Sequence, residues 1–195
     1  IIDLMNLKKK ILVTGCAGFI GSNLIDKLTK TKKFKVYGID NLNKYYDHKL
    51  KQERLNKILK KKNFIFYKFD ISNKNKIIQN FNKNKYDYVF HLAAQAGVRF
   101  SMKKPDVYLN SNIIGFYNIL EAAKIVKVKL LYFASSSSVY GDSKKFPLKE
   151  TDKINPRNIY GLTKKNNEET VEIFFKDLKT DCVGLRFFTV FGEWG

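Results

Sequence analysis

The chain has 195 residues, 44% of them hydrophobic and 14% aromatic, enough to bury the core of one domain. With two cysteines it has no disulfide framework, and no apolar run reaches the roughly 18–20 residues that cross a bilayer. The formal net charge of +19 points toward nucleic acid, but the lysines are scattered and arginine, the usual base-reading residue, is scarce. The charge therefore reads as a solvated lysine surface that also attracts anionic substrates, with no nucleic-acid partner and no membrane partner expected. The opening Ile1-Ile-Asp-Leu-Met5 is too short and too acidic for a signal peptide. Met5 reads as the natural start, and the chain is expected in the cytoplasm.

In chain order, residues 10–14 read as a strand that runs into Gly15, Gly18 and Gly21 and then a helix over 19–31. A strand, a glycine turn and a helix bring backbone amides up to a pyrophosphate, with the helix dipole behind them. The spacing is G-x-x-G-x-x-G, not G-x-G-x-x-G. Residues 34–39 form the second strand and close on Asp40-Asn41, about twenty residues after the glycines, where a carboxylate accepts hydrogen bonds from an adenosine ribose. Asp40 would repel a 2′-phosphate, so NAD is expected over NADP. A polar aromatic loop over 41–46 leads to a basic helix over 47–61 and a third strand over 63–69, ending at Asp70-Ile71. That pair either holds the adenine edge or simply ends the strand.

A helix over 74–84 precedes the fourth strand, 86–91, which runs into Ala93 and Ala94, small enough to leave room for a flat ring. His91, on an apolar strand, reads as a satisfied core histidine rather than a base. Residues 95–104 read as a loop. Pro105 opens a helix to about 126, as helix-start prolines do. The fifth strand, 129–134, leads into the serine run 135–138; a loop with Pro147 and Pro156 leads to a helix over 158–178; the sixth strand is 182–188. Strands and helices alternate throughout, so the expected fold is α/β, a doubly wound parallel sheet with helices on both faces.

The decisive pair is Tyr160 and Lys164, four residues apart on one helix face. A free tyrosine titrates near pH 10. A neighbouring ammonium and a cationic ring both favour the phenolate and bring it into range as a base.

With these motifs in place, the chain resembles the extended short-chain dehydrogenase/reductase (NAD-dependent epimerase/dehydratase) family. That family carries T-G-x-x-G-x-x-G, an Asp after strand 2, a Ser/Thr after strand 5 and Y-x-x-x-K; here these are Thr14 with its glycines, Asp40, Ser136, and Tyr160 with Lys164. Within it the chain is most similar to UDP-glucuronate 4-epimerases, through Asp40-Asn-Leu-Asn-Lys-Tyr-Tyr-Asp47, His91-Leu-Ala-Ala-Gln-Ala-Gly-Val-Arg99, Ala134-Ser-Ser-Ser-Ser-Val-Tyr-Gly141 and Leu185-Arg-Phe-Phe-Thr-Val-Phe-Gly192.

The resemblance implies a Rossmann fold over residues 5–195, a C-terminal substrate domain that this chain lacks, and a homodimer in the full-length protein. It implies NAD held by Gly15, Gly18, Phe19, Ile20, Gly21, Asp40, Asn41, Asp70, Ile71, Leu92, Ala93, Ala94, Asn112, Tyr160, Lys164 and Phe187. It implies a UDP-sugar contacted by Arg99, Ser136 and Thr189, catalysis by Ser136, Tyr160 and Lys164, and no metal. Related 4,6-dehydratases place Asp-Glu after the serine and the decarboxylases keep a glutamate there; Ser137 and Ser138 cannot supply that acid. The expected reaction is epimerisation at C4, on UDP-glucuronate ahead of UDP-glucose or a UDP-N-acetylhexosamine. A dehydratase and a non-catalytic NAD-binding module are the competing readings.

Overall fold

The structure, a computed structural model, describes residues 8–45, 47–176 and 180–195. The expected start at Met5, the end of the 41–46 loop and the expected helix end at 178 lie outside these residues.

Six parallel strands run in the order β3-β2-β1-β4-β5-β6. They are β1 (Lys9–Thr14), β2 (Phe34–Asp40), β3 (Phe64–Lys68), β4 (Tyr88–His91), β5 (Leu130–Ser136) and β6 (Asp181–Phe187). Strand order reverses between β1 and its neighbours β2 and β4, so the carboxyl ends of β1 and β4 open a crevice at the switch point. Side chains alternate across the sheet, as the pleat requires. Leu12 enters one core with Val89, Leu131 and Phe133, covered by α3 (Lys74–Asn84), α6 (Phe116–Val126) and α7 (Ile159–Phe174). Ile11 and Val13 enter the other with Val36, covered by Ile25 of α1 (Phe19–Lys30) and by Leu55 and Ile58 of α2 (His48–Leu59). Each fully buried aliphatic side chain contributes about 1.5–3 kcal/mol, which is why both faces of a central strand are apolar.

Two expectations need correction. The 95–104 stretch is not all loop: Val98–Lys103 forms a short helix, α4, started by Gly97 at φ 98°. The Tyr108 hydroxyl, shared between the Ala96 and Gly97 carbonyls at 2.6 Å, anchors that start. The helix expected from Pro105 onward is not uniform either. α5 (Pro105–Tyr108) passes into a π-helical stretch, Leu109–Gly115, before α6. The wider turn carries Asn112, whose amide bonds Gln95 and Thr163, and Gly115, where a Cβ would come within 2.7 Å of the Ile71 side chain. Neither element has a periodicity signal; both are set by tertiary contacts.

Candidate active site

β1 delivers the chain into Gly15 at φ 70°, a conformation that favours glycine. The Gly15 amide donates to the Ile39 carbonyl at 2.8 Å and the Gly18 amide to the Gly15 carbonyl at 3.0 Å, folding the turn back on itself. A Cβ on Gly21 would lie 2.2 Å from the Gly15 carbonyl oxygen, so α1 packs against its own turn only with glycine there. Gly18 caps α1 with no side-chain hydrogen bond, and the first turn of α1 carries no acidic residue. The amides at its N-terminus thus face the crevice without a built-in carboxylate.

Asp40, at the end of β2, is buried; its two oxygens accept from the Ala17 amide at 3.0 Å and the Leu42 amide at 2.8 Å. It therefore fastens the glycine turn to β2 and places a fixed negative charge at one end of the crevice. Asn41 donates to Asp70 at 2.6 Å, and Asp70 also accepts from the Ser72 amide; these bonds hold the Asp70 carboxyl below its usual pKa against the opposing effect of burial, the largest single influence.

The opposite wall is built by β5 and α7. Asn158 caps α7 by accepting from the Gly161 amide at 2.8 Å, which puts Tyr160 in the first turn and Lys164 one turn later. Gly161 sits so close to the short 3-10 turn Ser137–Tyr140 that a Cβ would come within 2.6 Å of the Ser138 carbonyl. This approach brings Tyr160 to Ser136, whose hydroxyl also accepts the Ser138 amide at 3.1 Å. The Lys164 ammonium is buried, donates to the Ala134 carbonyl at 2.7 Å and lies 5.9 Å from the centre of the Tyr160 ring.

Burial lowers the pKa of Lys164 to about 8. It raises that of Tyr160, partly offset by the hydrogen bond to Ser136. This differs from the expected depression by Lys164: in the protein alone desolvation is the largest influence on Tyr160, and the Ser136 hydrogen bond is what opposes it. Behind this wall, His91 is buried with Nδ1 2.7 Å from the Thr14 hydroxyl, and burial, helped by Lys164, lowers its pKa to about 3. It is a neutral, satisfied core histidine, as its strand implied.

A second network fixes α7 on the sheet. Arg186 of β6 donates from Nε and Nη2 to the two oxygens of Glu168, at 3.0 and 2.8 Å, and from Nη1 to the Tyr140 hydroxyl and the Glu150 carbonyl. Ser135 of β5 also bonds Glu168. Glu168 lies one turn after Lys164 and Ser135 directly before Ser136, so this cluster sets the spacing between the two halves of the wall.

These walls enclose one cavity of about 930 Å³. It brings together Gly15, Gly18, Phe19, Ile20, Gly21, Asp40, Asn41, Ile71, Leu92, Ala93, Ala94, Ser136, Tyr160, Lys164, Phe187 and Thr189. Three expected residues are not on its surface. Asp70 is held behind Asn41, Asn112 has its amide committed to Gln95 and Thr163, and Arg99 is exposed on α4. The sequence reading missed Lys51 and Arg54, which line the cavity from α2. A signal for them exists: Lys51, Arg54, Leu55 and Ile58 occupy positions i, i+3, i+4 and i+7, an inward-facing stripe with two cations in it. Among the described residues, no three His, Cys, Asp or Glu side chains converge as a metal site would require, and no helix is long and apolar enough to cross a membrane.

A sequence profile described as the NAD dependent epimerase/dehydratase family matches residues 11–195. UDP-glucuronate 4-epimerase 4 of Arabidopsis thaliana is 42% identical over 95% of this chain and 42% of its own. The crystal structure of UDP-glucuronic acid 4-epimerase from Bacillus cereus, in complex with UDP-glucuronic acid and NAD, superposes with a TM-score of 0.87 at 36% identity, over 94% of this chain and 57% of that one. UDP-glucose 4-epimerase from Thermotoga maritima, with UDP-glucose, superposes with a TM-score of 0.83, also at 36% identity, over 94% and 56%. The chain spans about half the length of the curated relatives it matches.

Proposed function

The chain belongs to the NAD dependent epimerase/dehydratase family, and we propose that it is the NAD-binding part of a UDP-sugar 4-epimerase acting on UDP-glucuronate to give UDP-galacturonate. The observation that carries this reading is the placement of Ser136, Tyr160 and Lys164 on one wall of a cavity whose far end is the glycine turn. In this reading residues 5–195 are one domain, and the complete protein carries a separate substrate domain that grips the uracil and the sugar carboxylate. The protein is cytoplasmic and homodimeric; exposed Met102, Leu109, Ile114 and Tyr117, with Leu162 and Ile173 on α7, offer apolar surface for a second copy.

The residues fit NAD. The glycine turn leaves no room for a Cβ at Gly21, the uncapped start of α1 faces the crevice, and Asp40 stands at its ribose end. Asn41 and Ile71 border the adenine with Asp70 holding Asn41 in place from behind, Asn112 supports the wall through Gln95, and Leu92, Ala93, Ala94 and Phe187 flank the ring. When bound, the cofactor supplies a two-electron acceptor for the hydrogen on sugar C4, returns it, and adds a positive charge that opposes the burial-driven rise in the Tyr160 pKa.

The chain's own residues move the proton. Tyr160 Oη, as phenolate, takes the proton of the 4-hydroxyl and gives it back from the same atom, so no net proton is consumed. Ser136 holds the 4-hydroxyl against Tyr160. Lys164 stabilises the phenolate from behind and anchors the nicotinamide-side ribose through donors not used by Ala134. Thr189 contacts the substrate from β6's end, while Arg99, exposed on α4 two residues beyond the cavity wall at Gly97, is left for the part of the substrate that extends outside this cavity. Ser137 and Ser138, in the turn after Ser136, offer no acid for expelling a leaving group, which supports epimerisation over dehydration.

The test is conversion of UDP-glucuronate to UDP-galacturonate by the complete protein, and its loss by roughly 10²–10⁴-fold in Tyr160→Phe with nucleotide binding retained. An unchanged rate in that variant refutes the mechanism. A second reading, epimerisation of UDP-glucose, is favoured by the equal identity to the Thermotoga maritima enzyme. Turnover of UDP-glucose faster than UDP-glucuronate would select it, and NAD binding without turnover of any UDP-sugar would select a non-catalytic module.

A further inference from the structure

The ribose end of the cavity holds a charge that the glycine–aspartate pattern does not foresee. Asp40 alone would repel a 2′-phosphate. Lys51, eleven residues further on and carried by α2, lines the same cavity and is only 7% exposed. Its ammonium donates to Asn43 Oδ1 at 2.7 Å, in the loop directly after Asp40-Asn41. An ammonium has three donors, and Asn43 takes one. Asp40 and Lys51 line the same cavity; burial lowers the Lys51 pKa and the Arg54 charge adds to that, while the Asp40 carboxylate opposes both. The other cation of the stripe, Arg54, lines the cavity too, but its Nε is committed to the Trp194 carbonyl at 2.9 Å and its guanidinium lies 5.9 Å from the Phe19 ring centre.

A cation buried on the inward stripe of a helix carries a desolvation cost that a leucine or methionine at this spacing would avoid. It sits where the adenosine ribose of the proposed cofactor would lie. A carboxylate accepts from a ribose diol, while an ammonium donates to a diol oxygen or to a phosphate on it, so the pair presents both charges to the same part of the ligand.

We propose that Lys51 is a cofactor-specificity residue: together with Asp40 it reads the adenosine ribose, and its positive charge narrows the discrimination against NADP that Asp40 imposes. The proposal rests on the NAD-binding reading above. It makes the ligand of this cavity end a ribose that bears either a free 2′-hydroxyl or a 2′-phosphate, and it assigns the choice between them to two residues on different elements.

The experiment titrates the complete protein with NAD and with NADP by calorimetry and compares the ratio of the two dissociation constants. In Lys51→Met the NADP-to-NAD ratio rises by about tenfold, because one cation–phosphate interaction in a partly desolvated site is lost. Lys51→Arg keeps the wild-type ratio to within about threefold, and Asp40→Asn lowers it. A ratio unchanged in Lys51→Met, through equal weakening of both nucleotides or of neither, overturns the proposal and makes Lys51 a structural residue; so does a ratio that falls. If Lys51→Met does not melt cooperatively, Lys51→Gln is read by the same ratio. Failure of the wild-type protein to bind NAD overturns the underlying reading instead, and is seen before any variant is made.

Discussion

At the scale of single residues, the candidate site is a set of titrating groups kept away from their ordinary behaviour by burial. Lys164 shows this most directly. Its folded-state pKa, about 8, lies below the ordinary 10.5, so between those values the unfolded chain binds more protons than the folded one. Stability contributed at this position therefore rises with pH over that window, and the full desolvation cost is present below pH 8. Lys164→Met removes the cost and the hydrogen bond to Ala134. The variant should be more stable than wild type at pH 7, by on the order of 2–3 kcal/mol, with a gap that closes as pH rises from about 8 toward 10. Urea denaturation at three pH values measures it, and a gap independent of pH would contradict the assignment. The protein keeps a destabilising lysine at this position, which is the expected signature of a group held for chemistry.

At the scale of elements, the glycine turn and the β5–α7 wall are held by different physics. The turn depends on close backbone approach. In Gly21→Ala the new Cβ meets the Gly15 carbonyl and the Cys16 Cα, backbone that cannot rotate away. We expect a loss of about 1–3 kcal/mol in stability and loss of NAD binding, read by thermal melting and calorimetry; wild-type affinity in a folded Gly21→Ala protein would show that the turn does not touch the cofactor. The wall depends on charge: Arg186 and Glu168 pair through two hydrogen bonds while still partly exposed, at 20% and 14%. They join β6 to α7 beside Ser135, so the spacing of Ser136 and Tyr160 is set by contacts from four separate elements.

At the scale of the whole molecule, the net charge of +19 produces a broad positive field. Self-repulsion among surface lysines opposes compaction, and the same field draws in anionic nucleotides. The Debye length is about 10 Å at 0.1 M salt, short enough to screen most of these surface charges. Raising salt from about 20 to 200 mM should raise the melting temperature by about 2–4 °C, the shift that ~1 kcal/mol gives a chain of this size, and should weaken nucleotide binding. Scanning calorimetry with parallel binding titrations reads both effects. A melting temperature that falls with salt would mean that attractive ion pairs such as Lys61–Asp26 outweigh the repulsion.

The sequence by itself determined the alternation of strands and helices, the glycine turn, and the Tyr160–Lys164 spacing, because each is a local pattern: period, turn chemistry, or two residues four apart on a helix. It also placed His91 correctly in the core, since an apolar strand buries every second side chain. What it could not determine depends on partners distant in the chain. The π-helical stretch exists because Asn112 reaches Gln95 and Thr163 and Gly115 rests on Ile71. α4 exists because Tyr108 ties down the carbonyls before it. The raised pKa of Tyr160 reflects a burial that helix spacing does not report. Lys51 was visible as a cation on an inward stripe, but only the tertiary structure placed that stripe beside Asp40. A helix can specify which of its faces is buried, but what that face meets is decided by the packing of the whole chain.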